Sequence, residues 1–122
     1  MANPFVHVEL QTKDLDKAKK FYQGLFDWKL EDMPMGNGMS YTVINVGEGT
    51  GGGMMTNPAP GTPSHWLTYV DVADIDATTE KAQSLGATVV QPKTEVPGMG
   101  WFSVMVDPTG AAIALWQSKP GQ

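Results

Sequence analysis

His7, Glu9 and Gln11 stand two residues apart along Phe5 to Gln11, opposite Val6, Val8 and Leu10. That alternation describes a half-buried strand with one polar face, on which an imidazole and a carboxylate sit side by side. Such a pair can exchange protons with a substrate, or the imidazole can hold Fe, Mn, Ni or Zn. The competing reading is a pocket histidine hydrogen-bonded to a neighbour; strand neighbours two apart are common by chance, and the residues alone favour this reading. The chain has two histidines, His7 and His65, and zero cysteines. Thiol catalysis, zinc–thiolate sites and disulfides are therefore excluded. Gly47 to Gly53 is glycine-rich but lacks the Gly-Lys-Ser/Thr ending of a phosphate-binding loop, and no Gly-x-Ser-x-Gly elbow occurs.

The elements that would carry these residues follow a repeated order. Asp14 reads as the cap of a helix to about Leu25, with Leu15, Ala18, Tyr22 and Leu25 at helical spacing. Trp28 to Leu30 reads as a second strand, Met33 to Gly38 as a loop, and Ser40 to Val46 as a third strand. Gly51 to Met55 makes a fourth strand, in which a glycine run marks close approach of another group. Residues 57–64, with three prolines and a glycine, form a linker. The order then restarts: a strand from His65 to Val72, a helix capped by Asp74 and stopped by Gly86, and a strand over Thr88 to Val90. A loop from Lys93 to Gly100, a strand from Trp101 to Val106 and an Asp107-Pro108-Thr109-Gly110 turn complete it. The turn delivers a final apolar strand through Trp116. Asp14-Leu15-Asp16 and Asp74-Ile75-Asp76 mark the two halves as a βαβββ repeat.

Size and charge narrow the function further. At 122 residues the chain predicts a single α+β domain, residues 1–122, built from modules 4–56 and 65–117. Its net charge of −5 argues against nucleic-acid binding, and no apolar run approaches a membrane span. Met1 to Pro4 leads straight into a strand pattern, which predicts no signal peptide and, with the missing cysteines, a cytoplasmic protein.

The ordered motifs His7, Asp14-Leu15-Asp16-Lys17-Ala18, Phe21-Tyr22, Leu25-Phe26-Asp27-Trp28, His65-Trp66, Leu85-Gly86-Ala87 and Asp107-Pro108-Thr109-Gly110 resemble the vicinal oxygen chelate superfamily. This is the group of glyoxalases, bleomycin-resistance proteins and extradiol dioxygenases. The resemblance covers nearly the whole chain and implies two βαβββ modules whose sheets form a cup, often in a homodimer. In the family's enzymes the cup holds a divalent metal, with ligands from the first strand, strands of each module and a Glu in the final strand. His7 matches the first-strand ligand. His65 is open to two alignments: its distance to Gly86 matches a fosfomycin-resistance-like branch in which it is a ligand, whereas the capping aspartates place Leu67 opposite His7. The final-strand Glu falls on Ala114, whose methyl coordinates nothing, and the fourth-strand position falls within Gly51 to Met55.

The expectation is a degenerate metal site, no cofactor favoured, and a small organic molecule bound in the cup by His7, Glu9, His65, Tyr69, Trp101, Ala114 and Trp116. Six methionines (Met35, Met39, Met54, Met55, Met99 and Met105) would add pliable surface, although ordinary core packing is the favoured reading for most of these aromatic and methionine residues, Trp101 and Met99 being the least core-like. The alternative is a divalent-metal-dependent lyase, transferase or dioxygenase using His7 and His65. An accessory domain without a ligand is a third, blander option.

Overall fold

The computed structural model describes residues 2–36, 39–57 and 61–120; of residues 35, 36 and 39 it describes only the backbone. Asn37 and Gly38 of the expected loop, and Pro58 to Pro60 of the expected linker, lie outside the described residues. The fold is α+β, with the element order βαβββ occurring twice. The first module comprises β1 (Phe5–Thr12), α1 (Leu15–Leu25), β2 (Lys29–Gly36), β3 (Met39–Asn45) and β4 (Gly52–Thr56). The second comprises β5 (His65–Asp71), α2 (Ile75–Ser84), β6 (Thr88–Val96), β7 (Gly100–Val106) and β8 (Ala112–Ser118). Two compact units result, His7–Leu67 and Thr68–Gln122 with Met1–Val6.

Both helices start for the same reason. Asp14 Oδ1 accepts from the Lys17 amide at 3.1 Å, and Asp74 Oδ1 from the Ala77 amide at 3.0 Å. Each cap contributes about 1 kcal/mol by satisfying an otherwise unpaired donor. Asp16 and Asp76 add negative charge in each first turn, where the helix dipole favours it. Gly86 closes α2 at φ +105°, a conformation that a side chain resists.

In the first unit the strands pair in the order β2-β3-β4-β1, antiparallel except for the parallel β1–β4 contact. The second repeats this as β6-β7-β8-β5, with β5–β8 parallel. Alternation then gives each sheet a helix-bearing face and a face its own helix leaves open. Leu10, Ile44 and Met54 form the first core beneath Leu15, Ala18 and Tyr22 of α1. Val72, Ile75 and Leu115 form the second, where Gln117 Oε1 accepts from the Ile75 amide at 2.8 Å.

Two expected loops are strand instead. β2 runs on to Gly36 rather than ending near Leu30, and β6 to Val96 rather than Val90. Pro34 and Pro92 suggested irregular chain at these places. Both, however, lie in edge strands of their module's sheet, where a missing N–H need not break a ladder. The register slips at each, between Pro34 and Gly36 and between Gln91 and Thr94. Partner strands β3 and β7 override the local loop signal.

The β4 glycines are explained by close approach. A Cβ on Gly52 would stand 1.8 Å from the Val8 carbonyl oxygen, and one on Gly53 would stand 2.0 Å from the Tyr41 hydroxyl. Neither position has room for a methyl group.

Candidate functional site

On the face of the first unit away from α1, β1 presents His7, Glu9 and Gln11 at alternate positions. Glu9 is in register with Gly53, and Gly53 with Val43 of β3. Tyr41, two residues before Val43, lays its phenol over Gly53 and reaches both β1 side chains. Its hydroxyl donates to Glu9 Oε1 at 2.9 Å and lies 2.7 Å from His7 Nε2. Gln11 Nε2 donates to Glu9 Oε2 at 2.8 Å. Both carboxylate oxygens are thus engaged, and Glu9 is only 5% exposed. A buried carboxylate held this way costs far less than an unpartnered one. The His7 and Tyr41 rings also stack, with centroids 6.2 Å apart.

Burial pushes the His7 imidazole below its ordinary pKa of 6.5, partly opposed by the nearby Glu9 carboxylate. The result is a neutral ring joined through a phenol to a buried carboxylate. Such a chain can accept a proton at the imidazole and stabilise the charge through Tyr41 and Glu9. Val43, 37% exposed, and the partly buried Met55 give the polar group an apolar border.

The other expected site residues fall elsewhere. His65 opens β5, and its Nδ1 donates to the Pro63 carbonyl at 2.8 Å. In the second unit Tyr69 (7% exposed) is in register with Ala114 (0% exposed) and makes an edge contact with Phe102 at 6.3 Å. Trp116 is half-buried, and its indole N–H donates to Ser118 Oγ at 3.0 Å. Trp101 lies on the other face of its strand. It packs on the helix side against Val72, Ile75 and Leu115, beneath Lys93 and Lys119 at 5.4 and 5.5 Å, rather than beside Ala114. Its register with Gln117 sets it one step out of phase with Val104 and Ala114. Met54 and Met105 belong to the helix-side cores, and the side chains of Met35 and Met39 are not described.

Tyr41 was not among the expected site residues. It shares strand parity with Val43, and the pairing of Val43 with Gly53, a register that the sequence pattern does not carry, brings its ring over the glycine. An open groove of about 260 Å³ in this unit lies mainly on the helix side and is lined by Val8, Trp28, Ile44, Val46 and Trp66. No titratable side chain lines this groove.

A paired βαβββ architecture with a polar group on the first strand defines a glyoxalase-type fold. Residues 5–115 match the family described as Glyoxalase/Bleomycin resistance protein/Dioxygenase superfamily, and the chain belongs to it. It is 36% identical over 114 residues to the Mycobacterium tuberculosis protein named "Putative glyoxylase CFP32", covering 93% of this chain and 44% of that protein. Identity to "Anthracycline biosynthesis protein DnrV" of Streptomyces peucetius is 26% over 127 residues, 89% of this chain and 45% of that one. The chain thus spans under half the length of these curated relatives. Among solved structures, methylmalonyl-CoA epimerase of M. tuberculosis superposes with a TM-score of 0.68 at 19% identity, covering 95% and 88% of the two chains. The hypothetical protein BH1468 of Bacillus halodurans gives 0.73 at 12% identity, covering 100% and 99%. At these identities the likeness is one of fold.

Proposed function

We propose that this protein binds a small organic ligand on the open face of its first module, at His7, Glu9 and Tyr41, without a metal ion held by protein side chains. The observation that carries the reading is the buried Glu9 carboxylate, fixed by Tyr41 and Gln11 beside a neutral imidazole and bordered by Val43 and Met55. A few convergent polar groups within apolar surface suit the recognition of a small molecule.

The donor set does not fit a metal held by three side chains. Among the described residues no three His, Asp or Glu groups come together. Ala114 stands where the family pattern places its carboxylate, fully buried, and Gly53 occupies the register position beside Glu9. The ligand-binding role, a homodimeric assembly and a cytoplasmic location form one proposal. No described helix is long and apolar enough to cross a membrane.

The test is a thermal-shift and calorimetric screen of untagged protein against planar aromatic, antibiotic and acyl-thioester ligands, with wild type, Glu9→Gln and Val43→Glu in parallel. A saturable shift in wild type that both variants weaken supports the reading. Stoichiometric metal in the purified protein, together with turnover that chelation abolishes, would replace it with a metal-dependent lyase, transferase or dioxygenase. No shift with any ligand points to an accessory domain.

A further inference from the structure

Proton counting along the hydrogen-bonded chain leads to a specific role for Tyr41. The Glu9 carboxylate only accepts, and it accepts from the Tyr41 hydroxyl at 2.9 Å and from Gln11 Nε2 at 2.8 Å. A phenol has one proton, and Tyr41 directs it at Glu9. Across the 2.7 Å contact with His7, the phenol oxygen is therefore the acceptor and His7 Nε2 the donor. We infer that Tyr41 is a positioning residue, which holds His7 as the neutral tautomer with its proton on Nε2 and its lone pair on Nδ1. This rests on the site proposed above and specifies the state of its imidazole. One consequence is immediate: Nε2 cannot coordinate a cation while it carries that proton.

Two further observations support the assignment. The phenol can stand between His7 and Glu9 only because residue 53 is glycine; a Cβ there would lie 2.0 Å from the hydroxyl and 2.2 Å from the ring. Contacts that short are not tolerated, so a methyl at residue 53 displaces the ring. Burial also keeps His7 neutral, the only charge state in which tautomers exist. Tyr41, Gly53 and Glu9 thus act as one device: the glycine admits the ring, the carboxylate orients its proton, and the ring fixes the imidazole.

The experiment reads the ring directly. Long-range ¹H–¹⁵N correlation on ¹⁵N-histidine-labelled protein, above the pKa of His7, distinguishes the two tautomers. A His65→Gln variant assigns the two rings. Wild-type His7 is expected with its proton on Nε2. In Tyr41→Phe the ratio of the Nε2–H to the Nδ1–H form is expected to fall about fivefold or more, as loss of one hydrogen bond of ordinary net strength brings. Gly53→Ala, which keeps the phenol but displaces it, is expected to move the ratio the same way. A wild-type ring protonated on Nδ1, or a Tyr41→Phe ratio equal to wild type, overturns the assignment. The wild-type spectrum alone can overturn it, should a variant fail to fold. No ligand enters the measurement, so an empty ligand screen leaves it intact, and an Nδ1–H wild-type ring leaves ligand binding to be judged on the screen.

Discussion

The two modules place different chemistry on the same frame. In the first, Glu9, Gly53 and Val43 lie in register across three strands, and in the second Tyr69, Ala114 and Val104 do. Tyr41 and Phe102 each stand two residues before the valine. In the first module the aromatic ring carries a hydroxyl that links His7 to Glu9. In the second it has none, and Phe102 meets Tyr69 edge-on. The partner of His7 by helix-cap spacing is Leu67, which is 2% exposed. One open face has become a polar network and the other an aromatic and aliphatic layer. The helix-facing positions diverge less. Thr42 donates to Asp32 at 2.6 Å, and its counterpart Ser103 lies 3.4 Å from Thr79 of α2, so both keep a hydroxyl turned to the helix side. The two modules thus share a hydroxyl on the helix-facing side and differ in what the opposite face carries.

The sharpest way to break this contrast is to give the second module the carboxylate it lacks. Ala114 is fully buried beside Tyr69 and Val104. Ala114→Glu there introduces both volume and an unpaired charge, and should cost about 4 kcal/mol or more in urea denaturation. A variant as stable as wild type would mean that the position opens to solvent and could still serve a ligand. Next in size is dismantling the polar network. Glu9→Ala leaves the Tyr41 hydroxyl and the Gln11 amide without their acceptor, at a cost of about 2–3 kcal/mol, and Tyr41→Phe should cost about 1 kcal/mol. Because they share one bond, the double variant should lose less than the sum. Strict additivity would deny that the network acts as a unit.

A smaller effect separates the modules by pH. The fold depresses the pKa of His7 by burial, so the folded protein binds a proton less readily than the unfolded chain. The stability tied to neutral His7 is present above about 6.5. It is lost as the pH falls through that value towards the lower folded pKa. His7→Gln removes the titration. The difference between wild-type and His7→Gln unfolding free energies should therefore be flat above pH 7 and tilt against wild type between pH 6.5 and 5. A flat difference throughout would mean that the ring is not desolvated.

Much of this organisation is legible in the residues. The caps Asp14 and Asp74, the stop at Gly86 and the Asp107-Pro108-Thr109-Gly110 turn each specify their local structure through one or two hydrogen bonds within a few residues. The lengths of β2 and β6 are not legible, because Pro34 and Pro92 read as breakers until one knows that they lie at a sheet edge. The face that carries Trp101 is not legible for a related reason. Its parity depends on a register with β8 that begins beyond the Met99 turn, and a shift of one residue reverses every side chain. That His7, Glu9 and Gln11 share one face is legible, since they obey the period of one strand. Tyr41 arrives from 32 residues beyond Glu9 through two strand pairings, which no local pattern encodes.

The least costly contrast lies in the turns that lead into the fourth strand of each module. Before β8, Asp107 Oδ1 accepts from the Thr109 hydroxyl at 2.7 Å and from the Thr109 and Ala111 amides at 2.8 and 3.1 Å. These bonds, the hydroxyl's first, hold the carboxyl below its ordinary value of 3.8. Before β4 the matching role falls to a neutral group, Asn45 Oδ1, which accepts from the Gly47 amide at 2.9 Å. The Asp107 carboxyl should therefore make the turn of the second module sense acid, whereas the Asn45 amide does not titrate. A depressed carboxyl stabilises the fold above its unfolded pKa, and that contribution is lost as the pH drops through the lower, folded value. Asp107→Asn should flatten the wild-type fall in stability below pH 4, whereas Asn45→Ala should lower stability by an amount independent of pH over the same range. Acid denaturation followed by tryptophan fluorescence from pH 5 to 2 compares the slopes. Parallel wild-type and Asp107→Asn curves would show that the carboxylate's charge contributes nothing to the turn, leaving Gly110, at φ +101°, to set its shape.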